Sequence, residues 1–317
     1  MTIYLTILLS LALLIPLAGA PGAPDWSAWA IWSLGGAAGI LPALLEARSR
    51  KLCPMVSLFV LFAVGRSLTA LVRWDLLSLC HVLTAWTGVA AAIYAAGRPQ
   101  EVRPALRWMV VPLLAVAAVQ AWPGMQNTFI NRNTLGMALV PVIAAWLDDR
   151  RVILPVVGLA LTLSRGPMVA TALMAGWYWS ALRYALPGTA FAVPLLLAVR
   201  NPNSLRIHAA YWLAGVRGFL RSPLTGLGPA RLGSANLEGH AHNIPLTVAS
   251  WSGLMGLGLL GWGLWLSREA WSNLPRWAMA GVIGLALAGL MDDWTLHPMI
   301  MVMAGALVSG HQVSTRE

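Results

Sequence analysis

Apolar runs recur along the chain at 2–20, 26–45, 55–72, 76–96, 108–122, 134–147, 152–164, 167–182, 188–199, 244–266, 277–291 and 298–311, separated by short polar segments. A helix needs about 20 apolar residues to cross the hydrocarbon core of a bilayer. The pattern predicts an all-α polytopic membrane protein of about 12 transmembrane helices, several of them too short to cross unaided. Alternating ten-residue segments, which would mark a β-barrel, do not occur, so helices are the expected solution. The longest polar interruption stands before the tenth run. It divides the chain into residues 1–199 with nine helices, a loop over 200–243, and residues 244–317 with three helices and a short tail.

Composition supports that reading. The 317 residues are 58% hydrophobic and only 10% charged, against about 25% charged in a soluble domain. Too little polar surface remains to cover a soluble protein. The first run ends in Ala18-Gly19-Ala20, which fits a signal-peptide cleavage pattern. No basic residue precedes the run, however, and cleavage would have to break the bond to Pro21. An uncleaved first helix is expected. Net charge is +10, and every basic residue but Lys51 is arginine. No soluble basic domain exists to carry a nucleic-acid surface, so nucleic acid is not an expected partner. Cys53 and Cys80 support neither a disulfide nor a metal site.

Cytoplasmic loops of membrane proteins collect Arg and Lys. With the N-terminus inside, the inner loops hold Arg48, Arg50 and Lys51; Arg98, Arg103 and Arg107; Arg150 and Arg151; Arg183; Arg268 and Arg276; and Arg316. The short outer loops Pro21–Asp25 and Asp292–His297 carry acids and no Arg or Lys. Against this bias, Arg132, Arg165 and the group from Arg200 to Arg231 fall outside. Solvated loop charge is one explanation, because the bias fades in long loops. An anionic ligand at the outer face is the other.

Three outer segments carry candidate chemistry. Gln126–Asn133 is a polar stretch before the sixth run, in which Asn133 is placed to cap a helix. Ser164-Arg165-Gly166-Pro167 sets an arginine beside a helix N-terminus, where backbone N–H groups and the helix dipole favour an anion; a snorkelling side chain is the alternative. In the long loop, Leu205, Ala209, Trp212, Val216 and Phe219 recur at helical spacing, with Arg206, Arg217 and Arg221 on a different face. An amphipathic helix over 204–221, lying on membrane lipid, is the expected form. Ser222–Pro229 is rich in helix breakers. His240 and His242 follow directly before the tenth run, with Asn243 placed to cap it. Two histidines at that spacing lack a second ligand set, so no metal site is expected.

The ordered set of SRGP, an arginine helix, SPLTGLGP and HAHN leading into PLTVASWSGLMG resembles the O-antigen ligase and polymerase superfamily of C-type membrane glycosyltransferases. The resemblance covers roughly residues 126–300, and residues 1–125 carry no such motif. It implies a multi-pass protein of the cytoplasmic (inner) membrane with its site facing outside, on a catalytic loop spanning 200–243. The implied donor is an undecaprenyl-diphosphate-linked glycan, and the acceptor a glycan, lipid or protein, with no cofactor and no metal. Arg165 and Arg206 would clamp the diphosphate, with Arg217 and Arg221 in reserve, because arginine forks suit phosphate oxygens. His242 would be the general base. His240 is its rival; Asn243 would also face the donor, and Asp292 and Asp293 the acceptor. A lipid-linked glycan flippase or other transporter is the alternative, with Arg66 and His81 as its intramembrane ionisable groups. A reporter fused after Asp149 is expected to read as cytoplasmic; a periplasmic signal there would invert the topology.

Overall fold

The computed structural model describes residues 54–73, 76–123, 131–180, 202–228, 241–293, 295 and 298–309. The runs at 2–20, 26–45 and 188–199 lie outside these residues. So does His240. The described helices are α1 (Pro54–Arg73), α2 (Leu76–Gly97), α3 (Pro99–Trp108), α4 (Val110–Ala121), α5 (Arg132–Trp146), α6 (Ile153–Thr162), α7 (Arg165–Tyr178), α8 (Pro202–Arg221), α9 (Ile244–Trp271), α10 (Arg276–Gly289) and α11 (Pro298–Ser309). No strand occurs among the described residues.

The all-helical expectation therefore holds for this part of the chain, but the count of 12 spans does not. Three stretches, Pro54–Leu71, Pro99–Ala121 and Ile244–Trp271, are long and apolar enough to cross a membrane. The helices at the sixth and seventh runs have 15 and 10 residues. At 1.5 Å per residue they reach about 22 and 15 Å, short of a hydrocarbon core of about 30 Å. The fifth run is extended instead. α3 adds an amphipathic half carrying Arg103 and Arg107 to the apolar α4, so residues expected in a loop continue a helix.

α5 lies at the centre, with every residue from Thr134 to Trp146 buried. A helix apolar on all sides is stable only when surrounded, and α3, α4, α6, α7, α10 and α11 pack around it. α1 and α2 pack together, α9 lies on α1, and α11 on α2. Close approach is bought by small residues, as is usual between membrane helices: a Cβ on Gly305 would run into the Gly88 carbonyl, and one on Gly284 would fall 2.6 Å from Val140 Cγ1. Large apolar side chains such as Trp108, Val111, Trp122, Trp262 and Trp265 face outward.

Five of the arginines at the end expected to be cytoplasmic are paired. Arg103 and Arg107 both bind Asp148, and their Nε atoms donate to the Ala145 carbonyl at 3.1 and 2.8 Å. Arg151 pairs with Asp149, Arg98 with Glu101 and Arg268 with Glu269. Hydrogen bonding from Arg151 holds the Asp149 carboxyl down to about 2.

α9 is broken one third of the way along. Gly253 has φ 61° and ψ −156°. An unbroken helix would pair Leu254 N–H with Ser250 O, and Met255 N–H with Trp251 O. The turn after α8 takes over all four groups. Leu227 and Gly228 donate to the carbonyls of Ser250 (2.7 Å) and Trp251 (3.1 Å), while Leu254 and Met255 donate to those of Pro223 (2.7 Å) and Leu224 (3.2 Å). Backbone groups left open in an apolar interior cost several kcal/mol each, so break and turn are stable only together. Two glycines allow the fit. A Cβ on Gly226 (φ 69°) would overlap the Trp251 backbone, and one on Gly253 would lie 2.5 Å from the backbone of Leu224. The expected amphipathic helix is present as α8, tied to the bundle through this turn and through Gly215, where a Cβ would fall 2.8 Å from that of Ala241.

Gly226→Ala and Gly253→Ala are each expected to cost about 3 kcal/mol or more, by strained backbone and overlap, lowering the unfolding midpoint in detergent by more than about 5 °C. Gly258 and Gly261 on the same helix have nothing within 4 Å of an added Cβ. Alanine there should be neutral or stabilising.

Candidate functional site

Asn243 caps α9, its Oδ1 accepting the Leu246 N–H at 3.0 Å, as the sequence led us to expect. Its Nδ2 donates to the Leu290 carbonyl at 2.9 Å, which ties the start of α9 to the end of α10. The residue before it, His242, adopts φ 49°. That left-handed conformation is uncommon outside glycine, although Asn, Asp and His enter it more readily than most. Nearby, Ala241 N–H donates to Thr247 Oγ1 at 3.2 Å. The imidazole is therefore aimed by a strained residue with hydrogen-bonded neighbours on both sides.

His242 Nδ1 lies 2.9 Å from Asp292 Oδ1, with the two side chains 14% and 13% exposed. An ionised carboxylate only accepts, so Nδ1 carries the proton and Nε2 is the basic nitrogen. Such a carboxylate fixes both the ring and its tautomer. Two residues of α8 flank the ring: Tyr211 at 4.3 Å and His208 at 5.6 Å between centroids. Neither was singled out from sequence. Their spacing of three, facing one side of α8, was the available signal.

The adjacent acids diverge. Asp292 reaches His242, and its Oδ1 also accepts the Asp293 N–H at 2.8 Å. Asp293 is fully buried and its Oδ1 accepts from both N–H and hydroxyl of Thr295. Arg66 Nη2 donates to Thr295 Oγ1 at 3.4 Å. The Arg66 guanidinium, only 5% exposed, lies 4.4 Å from the Trp251 ring centroid and 5.0 Å from that of Phe62. Such a cation–π contact is worth about 2 kcal/mol when desolvated. His81 packs on the same Trp251 ring at 4.8 Å. Trp251 is also the residue whose carbonyl takes the Gly228 N–H.

Arg165 is the first residue of α7 and is half-buried. Ser164 Oγ, just before it, donates to Asn133 Oδ1 at 2.9 Å. Asn133 is thus not the cap of α5 expected from sequence. Asn131 is, its side chain accepting the Asn133 N–H at 2.8 Å; the helix starts two residues earlier than expected, at Arg132. A Cβ on Gly166 would touch Met291 Cβ at 3.0 Å, so the Arg165 turn abuts the residue before Asp292. Pro167 is the third helical residue, where a missing N–H still leaves no gap.

Arg206, Arg217 and Arg221 are exposed. The side of α8 turned to the bundle carries His208, Tyr211, Gly215 and Gly218 instead. By the helical period the three arginines stand on the opposite side. The apolar stripe expected to anchor α8 includes Trp212 and Val216, which are 37% and 40% exposed, so the inward face is a neighbouring one. Arg165, Arg206, Arg217 and Arg221 form no ion pair among the described residues, in contrast to Arg98, Arg103, Arg107, Arg151 and Arg268. The described residues also contain no cluster of three or more His, Cys, Asp or Glu placed to hold a metal.

The site so assembled joins His242, Asp292, Asn243, His208 and Tyr211, and the turn that carries Arg165 approaches it through Gly166, against Met291. No known protein-family model matches the chain, and no curated protein does.

Asn243→Ala should cost about 1 kcal/mol through the cap and a similar amount through the Leu290 bond. In thermal unfolding Asn243→Asp is expected to restore the first part alone, since its carboxylate accepts but cannot donate.

Proposed function

We propose that the chain is a membrane glycosyltransferase that takes a glycan from an undecaprenyl-diphosphate carrier at the outer face of the cytoplasmic membrane and transfers or polymerises it. The observation that carries this reading is His242, held through Nδ1 by Asp292 and flanked on its ring by the tyrosine and histidine of α8. An oriented imidazole at the end of a bundle, next to an arginine on a helix N-terminus, suits the removal of a hydroxyl proton beside an anionic leaving group.

In this scheme the acceptor hydroxyl gives its proton to His242 Nε2. Its oxygen attacks the anomeric carbon from the face opposite the diphosphate, inverting the configuration. The bond from that carbon to the phosphate oxygen breaks, and its electron pair leaves with the lipid diphosphate. Arg165 and the N–H groups opening α7 offset the charge that develops there. Asp292 keeps the tautomer and stabilises the imidazolium that forms, as a carboxylate does for a catalytic histidine. It is therefore a partner of the base rather than a contact for acceptor sugar. Arg206, Arg217 and Arg221 face away from His242, and in this reading they meet phosphates along the membrane surface. Asn243 positions His242 and need not touch donor.

One observation favours a second reading, a lipid-linked glycan flippase or other transporter. Arg66, His81 and Asp293 are all buried inside the bundle, where transporters keep ionisable groups.

Purified protein incubated with a defined polyprenyl-diphosphate glycan and candidate acceptors should form product in the presence of a chelator. His242→Ala should lower the rate by about 10²–10⁴-fold, the range of a general base, and Asp292→Asn nearly as much. Arg165→Lys should retain donor binding with a lower rate, because the bidentate geometry is lost. Full activity in both His242→Ala and Arg165→Ala would remove the scheme. Glycolipid translocation in proteoliposomes without any transfer would favour the transporter.

A further inference from the structure

The buried Arg66 belongs to no step of the scheme above. Its surroundings are nevertheless built with care. The guanidinium lies against Trp251 and Phe62, two apolar rings, at a position that leaves it 5% exposed. Its Nη2 reaches Thr295, and its charge acts on Asp293. A buried cation is maintained only where its site gives back part of the hydration lost. A leucine or methionine would fill this space at lower cost, so the charge needs another reason.

That reason lies in what Thr295 holds. The Thr295 N–H and hydroxyl both bond Asp293 Oδ1, which turns the chain after α10 inward. The Asp293 N–H in turn donates to Asp292 Oδ1, the same oxygen that meets His242 Nδ1. A continuous series of contacts therefore runs from Arg66 through Thr295, Asp293 and Asp292 to His242. On its other side Arg66 covers Trp251, whose backbone is bound by the turn that follows α8. α8 carries Tyr211 and His208 to the far side of the His242 ring. Arg66 thus stands where the two supports of the imidazole meet.

We propose that Arg66 is a positioning residue for His242: from inside the bundle it fixes the Asp292–Thr295 turn and, through Asp292, the Nδ1–H tautomer of the imidazole. The inference rests on His242 being the base, yet its central claim concerns a tautomer, which is measurable without turnover. Among the described residues, the charged and titratable groups against His242 are Asp292 after α10 and His208 and Tyr211 on α8, with Arg165 on the turn that meets Met291 through Gly166; none of them is altered in the test.

The test uses the full-length protein with ¹⁵N-labelled histidine, the His242 signal being assigned by its loss in His242→Ala. Imidazole ¹⁵N shifts report the tautomer. In the wild type the Nδ1–H form should dominate. Thr295→Val changes no charge and little volume, but removes the hydroxyl between Arg66 and Asp293. It should move His242 toward the Nε2–H form, as should Arg66→Gln, while Arg66→Lys should restore the wild-type signal in part. Where transfer is measurable, the first two should lose roughly 10–100-fold in rate, as for groups that orient a ligand histidine, with the apparent KM for donor nearly unchanged. If Arg66→Gln does not fold, Thr295→Val decides the matter. Unchanged histidine shifts in folded Thr295→Val would overturn the proposal. A changed tautomer in a protein without transferase activity would uphold the positioning role and instead remove the catalytic reading.

Discussion

The exchange of backbone hydrogen bonds at the break in α9 is the constraint on which the remaining geometry depends. A helix in an apolar interior has no water to complete a missing bond. Here the helix gives up two of its own bonds at Gly253 and receives four from the turn at Pro223–Gly228. α8 is held by the same turn, and so are the two side chains that flank His242. The Trp251 ring, fixed by the same contacts, supports Arg66 and His81. A polar interior is thus assembled beside a break in the regular helical backbone.

Charge is arranged in two contrasting ways. Where Arg103, Arg107 and Arg151 stand, carboxylates and carbonyls lie within hydrogen-bond reach. These arginines also cover Trp277 and Trp146, combining charge pairing with aromatic packing. Arg165, Arg206, Arg217 and Arg221 have no such partners among the described residues. The same side chain is thus a structural brace in one group and stands without an ion pair among the described residues in the other.

Much of this was legible in the chain. The helical class followed from the apolar runs, and the cap at Asn243 from its place before Ile244. His242 stood with His240 directly before the tenth run, and the preference for it as base came from the resemblance. The span count failed because length in sequence does not tell whether a helix faces lipid or neighbours: α5, with 15 residues, is enclosed by protein. The role of the SPLTGLGP turn was also hidden. Its glycines match the break at Gly253, some 25 residues later, and the match involves backbone atoms, which leave no pattern of side-chain polarity. Nor could the period of α8 identify its inward face, because that face pairs His208 and Tyr211 with glycines rather than with a plain apolar stripe. Asp292 and Asp293 looked equivalent as neighbours and proved to face opposite ways.

The segment from Gly228 to Ala241 leaves and rejoins the bundle at one place. Gly228 is bound to Trp251 and Ala241 to Thr247, both on the first two turns of α9. The residues on either side of that stretch are thus fixed on one element, and Ala241, which precedes His242, is held by α9 itself. Closing a longer stretch would add only about 0.6 kcal/mol for each doubling of its length. A connection of another length between the same two points would therefore leave the imidazole and its carboxylate where they are.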